Sequence, residues 1–398
     1  MTDSNSGPTP VPAPAPKPVP TPVKVSTQPE VKPVHPKLDA LFRAMTKMGV
    51  SDLHIKANKK PHFRIHSELR AVDQPPLTTD EIDAMVVSLL NEDQTAEYHE
   101  FNQIDLAYEV PGGDRFRINI YHQRGHVSMA ARRVTRNIPN FEALNLPPEI
   151  GGILGSHQGL VLLAGPTGSG KSTTIASMLQ WINQNRRCHI VTIEDPIEYL
   201  YEDSKALINQ REIGIDVPNF ALALRAMLRE DPDVVLVGEM RDMETFEAAL
   251  QASETGHLVF GTIHASSAPQ TISRILELFP PKRRNVILQS LAFSLNAIVC
   301  QKLLPCVKEG ISRVPAIEIM RNNAVVSDLL EKGRDAELGD VIRSNEKDGM
   351  RSFTKSLYDL IQTDMIEPKV AYAVAPNPEE LKMMLKGINQ SRGGLLGR

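Results

Sequence analysis

The stretch from Gly159 to Asn185, GLVLLAGPTGSGKSTTIASMLQWINQN, decides how the rest of the chain reads. Its first part, GLVLLAG, is a short unbroken apolar run and reads as a buried strand. Gly165–Ser172, GPTGSGKS, matches the pattern G-x-x-x-x-G-K-[ST] in full. After it, Ile175, Met178, Leu179 and Ile182 share one side of a helix from Ser172 to Asn185. Strand, glycine-rich turn and helix in this order make a phosphate cradle. The glycines let backbone N–H groups turn inward around the phosphate, at a helix N-terminus that favours anions. The cradle comprises Gly165, Pro166, Thr167, Gly168, Ser169, Gly170, Lys171, Ser172 and Thr173. Lys171 is expected to reach the β- and γ-phosphates, and the Ser172 hydroxyl to bind Mg²⁺.

Downstream, apolar strands alternate with helical periods. HIVTIED reads as a strand, Phe220–Arg229 as a helix, VVLVG as a strand, Met243–Glu254 as a helix and LVFGTI as a strand. Such alternation predicts a mostly parallel sheet covered on both faces. Beyond Lys282 the pattern is mainly helical, with RVPAIEIM as a strand. Upstream, Leu38, Leu41, Phe42 and Met45 mark a helix face, Asp80–Leu90 a second helix, and HFRIHSEL and RFRINIYHQ alternate as strands. The expected organisation is a small α+β domain over 37–136, a proline-bearing connection over 137–149 and an α/β domain over 150–398. Residues 1–36 hold a proline at every second position from Pro8 to Pro22 and no Phe, Trp or Tyr. They read as a disordered, proline-rich tail.

With 44 Lys+Arg against 48 Asp+Glu, the net charge is −4. That balance gives no electrostatic reason to expect nucleic acid or anionic lipid as the main partner. No apolar run approaches the ~20 residues that span a bilayer, so no direct membrane insertion is expected. The 3 cysteines form no C-x-x-C, and a reducing cytoplasm is the simplest compartment.

The strand in DPDVVLVGEMRD, Asp231–Asp242, ends in Gly238-Glu239, where nucleotide hydrolases usually place an Asp. Asp231 and Asp233 do not substitute for it, since Asp233 and Glu239 are separated by about 20 Å of extended chain. Ligands of open parallel sheets bind at the carboxyl ends of strands, which puts Glu239 on the phosphate side. Glu239 can serve Mg²⁺ through water, because that ion keeps several waters and needs few protein carboxylates. Glu194, at the end of HIVTIED, is expected to converge on the same phosphate if both strands flank the loop. One glutamate would polarise water and the other hold the hydrated metal ion; the spacing leaves the two roles open. His257 and His264 bracket LVFGTI and point to opposite faces, which excludes one shared metal site. Either could sense the phosphate or couple its state to the rest of the chain. The small domain carries Arg115, Arg117, Arg124, Arg132 and Arg133, and arginine can stabilise charge on a phosphoryl group in transfer.

GPTGSGKSTT, TIEDPIEY, INQREIG, SDLHI and the run from Leu222 to Ala268 together resemble the secretion-superfamily hexameric ATPases, most of all the type IV pilus retraction (PilT) family. The resemblance covers about residues 37–390. It implies a RecA-like P-loop ATPase core, a PAS-like N-terminal domain and a homo-hexameric ring that hydrolyses ATP with Mg²⁺. It makes Gly165–Thr173 the Walker A loop, places Glu194 in the Asp box, makes Glu239 the Walker B acid and assigns His257 and His264 to the His box. Arg115, Arg117 and Arg132 match the arginines that approach the nucleotide in that family. The implied partner is an inner-membrane pilus platform protein, at the cytoplasmic face of the inner membrane. Cys300 and Cys306 cannot form the four-cysteine zinc module of pilus assembly and type II secretion ATPases. AVVSDLLEKG, Ala324–Gly333, lacks the arginines of the matching retraction-family stretch. The competing expectations are a pilus assembly or type II secretion ATPase, an accessory ATP-binding ring and a nucleic-acid translocase.

Overall fold

The computed structural model describes residues 34–65 and 68–387. The proline-rich stretch before residue 34, expected to be disordered, lies outside the described residues. The chain is α/β, with two sheets that differ in construction.

The N-terminal unit begins with α1 (Pro36–Met48), β1 (Asp52–Lys56), β2 (His62–Ile65) and β3 (Glu68–Ala71). It continues with α2 (Thr79–Leu89), α3 (Glu92–Phe101), β4 (Gln103–Glu109), β5 (Arg115–Gln123) and β6 (His126–Val134). Its six-stranded antiparallel sheet has the order β3-β2-β1-β6-β5-β4. Alternation sends Leu53, Ile55, Phe116, Ile118 and Ile120 into the core, where Leu38, Phe42 and Met45 of α1 meet them. Phe42 stacks on Phe116 with ring centroids 4.4 Å apart. Both α2 and α3 open with capping boxes, Thr78 with Glu81 and Asn91 with Gln94, which satisfy the first free N–H groups of each helix.

After residues 135–148 comes α4 (Glu149–Ile153) and then a doubly covered sheet. Its elements are β7 (Gly159–Ala164), α5 (Lys171–Asn185), β8 (His189–Glu194), β9 (Leu207–Glu212), α6 (Phe220–Met227) and β10 (Val234–Val237). Next are α7 (Met243–Glu254), β11 (Leu258–Ile263), α8 (Ala268–Glu277), α9 (Pro281–Ser294), β12 (Leu295–Pro305) and β13 (Arg313–Arg321). Five small helices close the described chain: α10 (Ala324–Glu331), α11 (Leu338–Ser344), α12 (Phe353–Gln362), α13 (Pro368–Val374) and α14 (Pro378–Leu385). The sheet order is β13-β12-β7-β11-β10-β8-β9, parallel from β12 to β9 with β13 antiparallel at the edge. α4 and α5 cover one face, and α6–α9 with the C-terminal helices cover the other.

Two findings depart from the sequence expectation. Residues 295–305 form an 11-residue strand, not a helix, and pair with the phosphate-loop strand β7. The apolar run SLAFSLNAIVCQKLL carries no period that separates helix from strand, and pairing decides it. Second, β8 and β10 do not flank β7, because β11 lies between β7 and β10. Among the described residues no helix is long and apolar enough to cross a membrane.

Candidate active site

The loop after β7 has the backbone that a phosphate cradle needs. Gly165, at φ +158°, and Gly170, at φ +87°, sit where side chains do not fit: an added Cβ would lie 2.4 Å from Ser169 Oγ at the first and 2.8 Å from Gln301 Nε2 at the second. Gly170 is the left-handed N-cap of α5 and offers no side-chain cap, so the first N–H groups of that helix are left for an anion. Ser169 Oγ is buried without a hydrogen-bond partner. Gln301, on β12, holds the loop from behind: its Nε2 donates to Ser169 O at 2.8 Å, and its Oε1 accepts from Thr174 Oγ1 at 2.8 Å. Lys171 curls over the loop and donates from Nζ to Gly165 O at 2.9 Å and to Pro166 O at 3.2 Å. Burial lowers the Lys171 pKa, while Glu239 and Glu198 act to raise it.

Thr167, Gly168, Lys171, Ser172, Glu194, Glu239 and His264 line one cleft of about 230 Å³. Three neighbouring strand ends, β8, β10 and β11, deliver its acid and imidazole groups. His264 stands just past β11, and its Nε2 lies 3.1 Å from Glu239 Oε1. Arg241 Nε binds the same oxygen at 2.5 Å. Burial raises the Glu239 pKa, but Arg241 and then His264 more than offset it and hold the carboxylate below its ordinary range. Glu194 has the opposite environment. Burial pushes its carboxyl up to about 7, although Thr192 Oγ1 at 2.7 Å and Gln210 Nε2 at 3.3 Å both donate to Oε1. The two glutamates are therefore one ionised group and one group that titrates near neutrality.

The glycine before Glu239 has a packing reason. A Cβ at Gly238 would sit 3.2 Å from both Glu194 Cα and Ile193 O. Gly238 N donates to Ile193 O at 2.8 Å, and Thr262 Oγ1 donates to Gly238 O at 2.5 Å. An Asp at this position would press against the neighbouring strand. The chain carries its acid one residue later, beyond the end of β10. Asp233 is at the far end, where Oδ2 accepts from His189 N at 2.8 Å.

His257 is not brought to the cleft. It precedes β11 at the amino end of the strand, with Nδ1 2.8 Å from Ala252 O. The six residues of β11 separate it from His264, roughly 20 Å of strand. Within this chain His257 is therefore corrected from a site residue to a helix-end contact. None of Arg115, Arg117 and Arg132 lines the phosphate cleft either. Arg115 crosses to the second sheet and pairs with Glu212 at 2.9 Å, both groups being largely buried. Arg117 shares a second cleft with Glu212 and Asp195, of about 410 Å³ between the two units. Arg132 stays in its own sheet, 2.8 Å from Asp52, and does not line the phosphate cleft.

Glu198 and Tyr199 were not singled out by the sequence. Ser172 Oγ donates to Glu198 Oε1 at 3.2 Å, and Tyr199 OH lies 2.9 Å from Thr173 Oγ1. Both follow the cis Asp195-Pro196 bond, and the PIEY that trails Glu194-Asp195 was the available signal. No group of three or more His, Cys, Asp or Glu among the described residues could cage a metal ion. Ser172 Oγ and the Glu198 carboxylate beside it are hard oxygen donors of the kind that Mg²⁺ takes.

The family described as type II/IV secretion system protein matches residues 27–334. The type IV pilus retraction ATPase PilT of Pseudomonas aeruginosa is 39% identical over 339 residues, 85% of this chain and 98% of that protein. The type IV pilus ATPase PilU of the same organism is 36% identical over 350 residues, 88% of this chain and 91% of that one. The crystal structure of the pilus retraction motor PilT with bound ADP superposes with a TM-score of 0.80 at 40% identity, over 87% of this chain and 99% of that one. A phosphate cradle, an ionised glutamate on a histidine and a second glutamate near neutrality thus stand in the fold of these ATPases, and the chain belongs to the type II/IV secretion system protein family as a PilT-like ATPase.

Proposed function

We propose that this chain is the subunit of a homo-hexameric motor that hydrolyses ATP to withdraw type IV pili, as twitching motility requires. It would act at the cytoplasmic face of the inner membrane on a platform protein there. The observation that carries the reading is the convergence of Lys171, Glu239 with His264, and Glu194 in one cleft, in a chain that matches PilT across nearly that protein's whole length.

In this reading Lys171 and the N–H groups of α5 hold the phosphates. Glu239, kept ionised, orients the attacking water, with His264 fixing its Oε1. Glu194, close to neutrality, takes up the proton. Mg²⁺, when bound, neutralises charge on the phosphates, and Ser172 and Glu198 are the residues placed to hold it with its waters. Arg115 and Arg117 keep the N-terminal unit, PAS-like in this reading, next to the phosphate side.

A deletion strain tests the biological direction. More surface pili that fail to retract support the reading, and absence of pili overturns it in favour of an assembly or secretion motor. A second reading, an accessory ring, has one observation in its favour. The stretch Ala324–Gly333 keeps the apolar spacing of the matching retraction-family stretch, with Val326 and Leu330 buried, but carries none of its arginines. Intact retraction in the deletion strain, lost only when a second retraction ATPase is weakened, would favour it. DNA-stimulated turnover that falls steeply with salt would revive the translocase reading.

A further inference from the structure

The segment Asp195–Glu202 joins the phosphate loop to the N-terminal unit, and the chemistry above makes no use of its phenol. Tyr199 OH reaches Thr173 Oγ1 at 2.9 Å, one residue past Ser172 in the first turn of α5. The Tyr199 carbonyl accepts from Gln210 Nε2 at 2.8 Å, and that amide also reaches Glu194 Oε1 at 3.3 Å. Tyr201 N donates to Gln210 Oε1 at 3.0 Å. The other side of the segment belongs to the joint between the units. Leu200 N donates to Thr135 O at 3.0 Å, Tyr199 forms a parallel bridge with Thr135, and Arg136 Nη1 lies 3.5 Å from Glu202. Thr135 directly follows β6, the strand that carries Arg132.

We propose that Tyr199 is a positioning residue that couples the phosphate loop to the interdomain joint, transmitting a shift of Thr173 on nucleotide binding to the strand end at 133–137. The side chain suits the task. Its ring has two torsions and one polar tip, and that tip bonds the loop while the next residue, Leu200, bonds Thr135 of the joint through its backbone N–H. The Arg115–Glu212 pair is a separate tie between the units, at the end of β9, and contacts no residue of the loop. Coupling in this sense requires one element whose arrangement both sites bias, and the 195–202 segment has bonded contacts to each.

The inference rests on nucleotide binding at Gly165–Thr173 and is independent of the direction of pilus work. Hydrogen exchange of the full chain with and without ADP tests it, following peptides that cover the loop, residues 133–140 and residues 195–203. In the unsubstituted protein, ADP should slow exchange in all three. In Tyr199→Phe, which keeps the ring and loses the hydroxyl, ADP should still slow the loop but leave 133–140 unchanged. The same variant should lower kcat about five- to tenfold with KM within about twofold, the scale of one lost hydrogen bond. Thr173→Val should break the same link, and the double variant should be no worse than the stronger single one. Transmission to 133–140 that survives in Tyr199→Phe overturns the proposal, as do additive losses in the double variant. ADP that protects the unsubstituted loop but not 133–140 overturns it too. ADP that protects nothing would overturn the nucleotide site itself, and the two failures are thereby told apart.

Discussion

The two sheets present their polar groups differently. In the parallel sheet the groups come off one edge: the phosphate loop after β7, His264 after β11, Glu239 after β10 and Glu194 at the end of β8. In the antiparallel sheet Arg115 opens β5, Arg117 and Arg132 stand further in on the sheet, and register places Arg117 opposite Arg132. Arg115 and Arg132 each already hold a carboxylate. Strand direction alone gathers residues at a parallel edge, whereas a residue on a sheet face meets only what packs against that face. Every residue that lines the phosphate cleft thus comes from the parallel unit.

The sharpest test of that division is substitution of the edge glutamate. Glu239→Ala should cut turnover about 10³-fold while nucleotide still binds, measured by single-turnover hydrolysis and equilibrium binding. Arg132→Ala should leave turnover within about threefold, and an equal loss in the two variants would break the comparison. Glu194 gives the next largest effect, as stability. Its folded pKa, about 7, lies above the ordinary 4.5, so ionising it opposes folding. The penalty grows as pH rises from 4.5 and is complete above 7. Glu194→Gln should therefore gain up to about 3 kcal/mol at pH 8 and little at pH 4, read from denaturant midpoints. With Glu194 as the proton acceptor, turnover is expected to rise with pH through about 7, and this variant to lose that rise. Arg115→Ala should cost less than the Glu194 change, about 2 kcal/mol of stability, because it leaves the largely buried Glu212 unpaired between the units. A zero effect there would show that Arg115 does not hold the units together.

The difference between the sheets also explains what the sequence made legible. GLVLLAG, HIVTIED, VVLVG and LVFGTI are β7, β8, β10 and β11, and strand ends follow from strands, so Glu239 could be put on the phosphate side. Glu194 could be put near it on the condition that both strands flank the loop, while the choice between His257 and His264 stayed open. His257 was misplaced because facing opposite sides says nothing about which end of a strand a residue occupies. β12 was missed because an unbroken apolar run fits a buried helix as well as a buried strand. Gln301, which supports the loop from that strand, was hidden with it. Glu198, Tyr199 and Gln210 act through a turn after Pro196 whose path no periodicity describes. The partners of Arg115 and Arg132 lie 97 and 80 residues away in sequence, and alternation fixes a face without naming what meets it.

The close fit at Gly238 has a consequence for what that position tolerates. A Cβ there would lie 3.2 Å from Glu194 Cα on the neighbouring strand, so the positions of the two glutamates are tied to one strand spacing. A side chain at 238 has to push the β8 end aside by a few tenths of an ångström, which moves Glu194 together with the end of β10. Bulk added at 238 is therefore expected to be felt at Glu194 as well as at Glu239.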